Sequence, residues 1–314
     1  MTLPTATREH YATVQRIAAV AIAGLNSAWS AMGPDFDATY AGIAPGLAEI
    51  TRQARIRAAS SGARSIGPAL AEQGIRVRLD VEALPVTWGG GTSDGRTIDG
   101  LLDLGPVTAK RAVGAGADVD VALEAARRRL ETALRTEIAD AGRSAAQAQM
   151  VAAPRTGWTR VVNPPCCGRC AVLAGRFYRW SNGFQRHPRC DCTMVPSTEG
   201  AASAVTTTPQ ALYDAMDERA RRRAFTKAGA RAIADGADMN LVVNARRGMT
   251  VVGSSVTDGG LVVRRGRVLR PDFTTERATR AGRGRRLTPE GIYARADGDR
   301  TEAVRLLVAN GYMR

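Results

Sequence analysis

Lysine is almost missing from this chain. Only Lys110 and Lys227 occur, so 42 of the 44 basic residues in 314 positions are arginine. A GC-rich coding sequence produces such a skew as readily as a ligand does, so residue type alone selects no partner. Histidine is confined to His10 and His187, which leaves little material for Ser-His, Cys-His or His-metal catalysis. No run of eighteen apolar residues occurs, and the start MTLPTATREHYATVQ has no basic segment followed by an apolar one. Neither a spanning helix nor a secretory signal is readable, and a soluble protein made in a cytoplasm is expected. No acidic residue lies between Val151 and Cys190, and no cysteine lies outside Cys166 to Cys192.

What is present fits a globular chain of about two domains on a prior of ~100–200 residues each, with 44% hydrophobic residues. The net charge is +14, and position says more than amount. Arg155 to Arg189 holds seven arginines and no acid; Arg264 to Arg286 holds nine against Asp272 and Glu276. These two stretches account for the whole excess. Clustered arginine suits a polyanion, through counterion release and bidentate pairing with phosphate, although a merely solvated basic face has the same composition. The second stretch cannot build a core, and Phe273 is its only ring. Arg264, Arg265, Arg267, Arg270, Arg283, Arg285 and Arg286 are therefore the candidates for non-specific contact with double-stranded DNA, and stacking on single strands is not expected.

Helical periodicity dominates up to about residue 152. In HYATVQRIAAVAIAGLNSAW, Val14, Ile17, Ala18, Ala21, Ile22 and Leu25 mark one buried face. The segment from Ala117 to Met150 predicts a long helix with Val121, Leu123, Leu130, Leu134 and Ile138 apolar, started by Asp118 and Asp120. Between these helices, VTWGGGTSDGRT matches no phosphate-binding pattern and reads as a flexible loop or tight turn. GWTRVVNPP predicts a strand ended by Pro-Pro. Thr208-Pro209 starts a helix expected to run through Phe225, two short helices flank Gly236, and LVVRRGRVLR is strand-like. Thr288-Pro289-Glu290 begins another helix, and the last, near Thr301 to Asn310, ends at Gly311. The expected organisation is a helical domain over 1–152, a Cys/His module over 153–198 and a helical, Arg-rich region over 199–314.

Five cysteines falling by chance into one 27-residue window is expected on the order of a few times in ten thousand, so the clustering has a cause. Disulfides suit a cytoplasmic chain poorly and leave one thiol over. A redox pair at Cys167 and Cys170 would leave the later cysteines and His187 idle. Zinc uses the set best. Cys167-Gly168-Arg169-Cys170 supplies two ligands from one turn, and His187-Pro188-Arg189-Cys190 returns two more. The expected quartet is Cys167, Cys170, His187 and Cys190, with Cys192 as the substitute and Cys166 the least suited. Ligands outnumber coordination positions, which favours a closed, structural zinc and no catalytic role.

The string NPPCCGRCAVLAGRFYRWSNGFQRHPRCDCTMVP resembles the C-terminal segment of the MuF-like minor capsid proteins of tailed phages. The likeness rests on Cys167, Cys170, Leu173, Gly175, His187, Cys190 and Pro196. GARAIADGADMNLVVNARRGM and LTPEGIYARADGDRTEAVRLLVANGYMR are similar to the tails of actinobacteriophage versions. The resemblance implies a virion protein of the capsid interior, near the portal, involved in head morphogenesis. Its partners would be the portal or major capsid protein and packaged DNA, with no membrane and no small-molecule substrate. The expected fold is α+β, predominantly α-helical, with a small zinc-stabilised module. The alternative is a zinc-finger-type DNA-binding or DNA-processing protein, and an enzyme relying on carboxylates is a third reading.

Overall fold

The computed structural model describes residues 3–79, 84–153, 155–179, 192–245, 262–264, 267–269 and 286–313, with the backbone alone in the two three-residue stretches. Chain contacts define two compact units: Met1–Val161 with Gly175–Thr207, and Val162–Ala174 with Thr208–Arg314. The fold is helix-dominated α+β.

In the first unit, helices α1 (Thr5–Trp29), α2 (Phe36–Ala71), α3 (Ile98–Leu102), α4 (Leu104–Gly114) and α5 (Val119–Met150) pack around one core. Val14, Ala18, Ala21, Ile22 and Leu25 of α1 are buried as the periodicity predicts, with Ile17 partly so. Leu25, Leu47, Leu130, Leu134 and Ile138 are each at most 3% exposed. Burial of this completeness contributes roughly 1.5–3 kcal/mol per large apolar side chain. Helix α2 starts at Asp35, whose carboxylate accepts from Ala38 N at 3.0 Å.

One expectation for α5 is corrected. Asp118 occupies the N-cap position, but its side chain makes no capping bond. Val121 is 59% exposed, because nine residues at about 100° each put it half a turn round from Leu130. Ala122 and Ala126, both fully buried, extend the inward stripe instead.

Helices α2 and α5 approach closely through small residues. A Cβ on Gly62 would run into the Gly142 carbonyl, and Ala58, Ala59, Ala141 and Ala145 are fully buried around this crossing. Beyond it lies an antiparallel sheet in the order β2 (Phe177–Arg179), β1 (Gly157–Val161), β3 (Thr193–Ser197). Trp158, paired with Tyr178 on one side and Pro196 on the other, is completely buried against Ile66, Leu70, Ala146, Met150 and Ala153. Pro196 lies on an edge strand, where its missing N–H costs no ladder bond; its carbonyl accepts from Gln73 Nε2 at 2.7 Å.

The second unit contains α6 (Gly168–Ala171), α7 (Pro209–Asp214), α8 (Glu218–Ala234), α9 (Met239–Asn244), the hairpin β4 (Val262–Arg264) and β5 (Arg267–Leu269), α10 (Pro289–Ala296) and α11 (Arg300–Ala309). Side-chain caps set most of the starts. Thr208, Asp217, Asp238 and Thr288 each accept from the backbone N–H three residues on, and Asp299 accepts from Thr301 and Glu302. Such caps stabilise by about 1 kcal/mol each. The Asp217 cap corrects the single helix expected from Thr208 to Phe225, which is instead α7 followed by α8. Gly236 (φ 105°) and Gly311 (φ 69°) supply the left-handed residues that end α8 and α11. Phe225, Val242, Ile292, Leu307 and Tyr312, each at most 1% exposed, form the interior.

Candidate metal centre

The Cys-x-x-Cys turn is built as its spacing predicts. Cys167 is extended (φ −89°, ψ 160°) at the N-cap of α6, and its carbonyl accepts from Cys170 N and Ala171 N, both at 3.0 Å. The two thiols therefore issue from the first turn of one short helix. Cys170 is buried, while Cys166 and Cys167 are half-buried. Gly168 cannot carry a side chain: a Cβ would lie 2.7 Å from the Ala224 carbonyl and 3.1 Å from Phe225 Cδ1. The turn is thereby fixed on α8, within the second unit.

Cys192 belongs to the first unit. It is 2% exposed, and its carbonyl accepts from Arg143 Nη2 at 2.5 Å. His187 and Cys190 lie outside the described residues. Among the described residues no group of three or more His, Cys, Asp or Glu is placed to hold a metal, and no disulfide joins Cys166, Cys167, Cys170 and Cys192. The donor set of Cys167 and Cys170, two thiols on one turn, fits half of a zinc site.

His10 takes no part in the cysteine turn. Its Nδ1 lies 2.8 Å from Ser61 Oγ. Burial, helped by Arg143, lowers its pKa to about 4, so it is neutral at pH 7. It borders a small cavity of about 50 Å³ together with Thr7, Tyr11, Ser65, Arg143 and Cys192.

Of the arginines assigned to DNA, Arg264 and Arg267 face each other as backbone partners closing the β4–β5 hairpin. Arg265, Arg270, Arg283 and Arg285 lie outside the described residues. Arg286 stacks on Tyr312, 4.5 Å from the ring centroid, and its Nη1 donates to the Asn310 carbonyl at 3.4 Å. In the earlier basic stretch, Arg160 is buried at 2% exposure within β1, so that stretch presents fewer cations than its sequence suggests.

Sequence reading missed a buried pair in the first unit. Arg55 of α2 binds Glu137 of α5, and Arg55 Nε donates to Trp88 O at 2.9 Å. Arg55 Nη2 also donates to Gly91 O, and Ser93 N donates to the same carboxylate at 2.9 Å. The Gly-rich segment is therefore anchored: Pro85–Gly89 forms a 3₁₀ turn, and Gly91 bridges to Thr97. Nothing in the local sequence marks this pair, because its members are 82 residues apart.

The described chain is thus a helix-dominated α+β protein carrying a Cys-x-x-Cys turn, and no described helix is long and apolar enough to cross a membrane. Residues 107–219, about a third of the chain, match the family model described as VG15 protein. This phage-associated match supports a phage protein. No curated protein and no solved structure matches the chain.

Proposed function

We propose that the chain is a structural component of a tailed-phage particle: a minor capsid protein of the MuF-like kind, acting in head morphogenesis inside the capsid and near the portal. The observation that carries this reading is the phage-family match over 107–219, which includes the whole cysteine segment whose residues resemble the MuF-like pattern. The portal or major capsid protein and packaged duplex DNA are the proposed partners. Zinc is the proposed structural cofactor, held by Cys167, Cys170, His187 and Cys190, with Cys192 as the substitute ligand. Bound there, the ion would cross-link a chain segment; no catalytic step is assigned.

Mass spectrometry of washed, purified particles tests the reading. A virion component is recovered with the head proteins, and disrupting its gene leaves heads defective in assembly or DNA content. A chain missing from particles but cross-linked to intracellular DNA would replace this reading with that of a zinc-finger DNA-binding protein.

A further inference from the structure

The second unit contains 22 Lys and Arg against 12 Asp and Glu, so it carries +10 of the chain's +14. Within it, the run Asp214 to Asp238 looks balanced in sequence, with six basic and five acidic residues. Folding takes the acids into caps and pairs. Asp217 and Asp238 cap helices α8 and α9. Asp235 accepts from Tyr293 Oη at 2.7 Å and Arg300 Nε at 2.9 Å, and Asp214 accepts from Gln210 at 2.9 Å. Among the cations, Arg221 lies over Tyr213 (4.6 Å) and Arg231 over Tyr293 (4.4 Å), while Arg222 pairs with Glu218 at the surface.

Arg219, Arg223 and Lys227 are left exposed, and among the described residues no carboxylate pairs with them. Arg219 and Arg223 are one turn apart on the same side of α8. Lys227 opens the second segment of the helix, after the kink at Thr226 (φ 67°, ψ 171°), whose hydroxyl donates to Glu290 Oε1 at 2.8 Å. Helix stability does not explain this placement. Arg219 and Lys227 stand in the first turns of the two segments, where a cation opposes the dipole, and Arg219 and Arg223, four residues apart, repel each other. Local choices that conflict with the fold are expected at functional sites.

We propose that the exposed cations of α8, Arg219 and Arg223 on one side of its first segment and Lys227 at the start of its second, seat on the phosphate backbone of double-stranded nucleic acid. Every exposed residue from Glu218 to Arg231 is charged. The exposed surface of α8 therefore lacks the apolar centre of a protein interface and the exposed ring that stacks single-stranded bases. Two guanidinium forks about 6 Å apart along the axis suit a row of phosphates. This inference rests on the proposed contact with packaged DNA and names the element that makes it.

The test titrates the purified full chain into a labelled mixed-sequence 30-base-pair duplex between 50 and 200 mM salt. The Arg219→Gln/Arg223→Gln/Lys227→Gln variant is compared with the unaltered chain, and circular dichroism confirms that both are folded. The slope of log affinity against log salt is expected to shrink by about 2 to 3, with at least a roughly tenfold loss of affinity at 100 mM salt. An unchanged slope, or an unaltered chain that binds no duplex, overturns the proposal. So does normal DNA binding combined with lost incorporation into heads, which identifies an acidic protein as the occupant. Recovery of the unaltered chain in particles is measured separately, so failure of the virion reading is distinguishable from failure of this one.

Discussion

Arg55 and Glu137 meet inside the first unit as an ion pair whose residues are 2% and 5% exposed. Burial lowers the pKa of the Arg55 guanidinium and Glu137 opposes that shift. The hydrogen bonds to Trp88, Gly91 and Ser93 serve both charges and hold the Gly-rich segment against α2 and α5. Glu137→Leu strands a buried cation, and a loss of about 3–5 kcal/mol is expected. Arg55→Met/Glu137→Leu removes both charges and should recover most of that loss. Urea denaturation measures both; a single-variant cost below about 1 kcal/mol would show that the pair is solvated.

Two glycines of α2 should respond in opposite directions to the same methyl group. Gly62→Ala forces α2 away from the Gly142 carbonyl and is expected to destabilise by roughly 1–3 kcal/mol, as overpacking does. Gly46 has nothing within 4 Å of its would-be Cβ, so Gly46→Ala should stabilise by up to about 1 kcal/mol through helix propensity. Thermal melts of the pair decide the matter, and equal shifts would contradict the close crossing.

The buried imidazole of His10 links stability to pH. Its pKa is about 4 in the folded chain against 6.5 ordinarily, so between these values the unfolded chain binds the extra proton. The stabilisation is complete above pH 6.5 and is lost as pH falls from there to about 4, a change of at most about 3 kcal/mol. His10→Gln should flatten this part of the stability profile. Denaturation at pH 7.0 and 4.5 checks it; an equally steep fall in the variant would assign the effect to other groups.

Metal content tests the cysteine turn. About one zinc per chain is expected after purification under reducing conditions, and structural zinc contributes roughly 10 kcal/mol or more to small modules. Cys167→Ser, Cys170→Ser and His187→Ala should each lose the metal, while Cys166→Ser should keep it. Elemental analysis reads the outcome directly. Metal-free protein, or loss from Cys166→Ser alone, would overturn the ligand set.

Much of the local structure was legible. Helix starts at Thr208 and Thr288, the glycine stops at Gly236 and Gly311, and the inward face of α1 all depend on residues within about four positions of one another, where capping and helical periodicity operate. The turn joining Cys167 and Cys170 was readable for the same reason. The Asp118 cap was misread because an acidic residue at a helix start has the right chemistry whether or not its carboxylate reaches a free N–H.

The helical character of the first unit, several element ends and the two-thiol turn follow from the linear chain, since short-range sterics and hydrogen bonding set them. Packing between distant segments decided that Arg55 would find Glu137 and that Trp158 would join the sheet to α2 and α5. It also decided that the acids around α8 would be taken into caps and pairs while Arg219, Arg223 and Lys227 face solvent. These outcomes depend on which distant faces bury each other, and a linear count of charge or hydrophobicity contains no term for that.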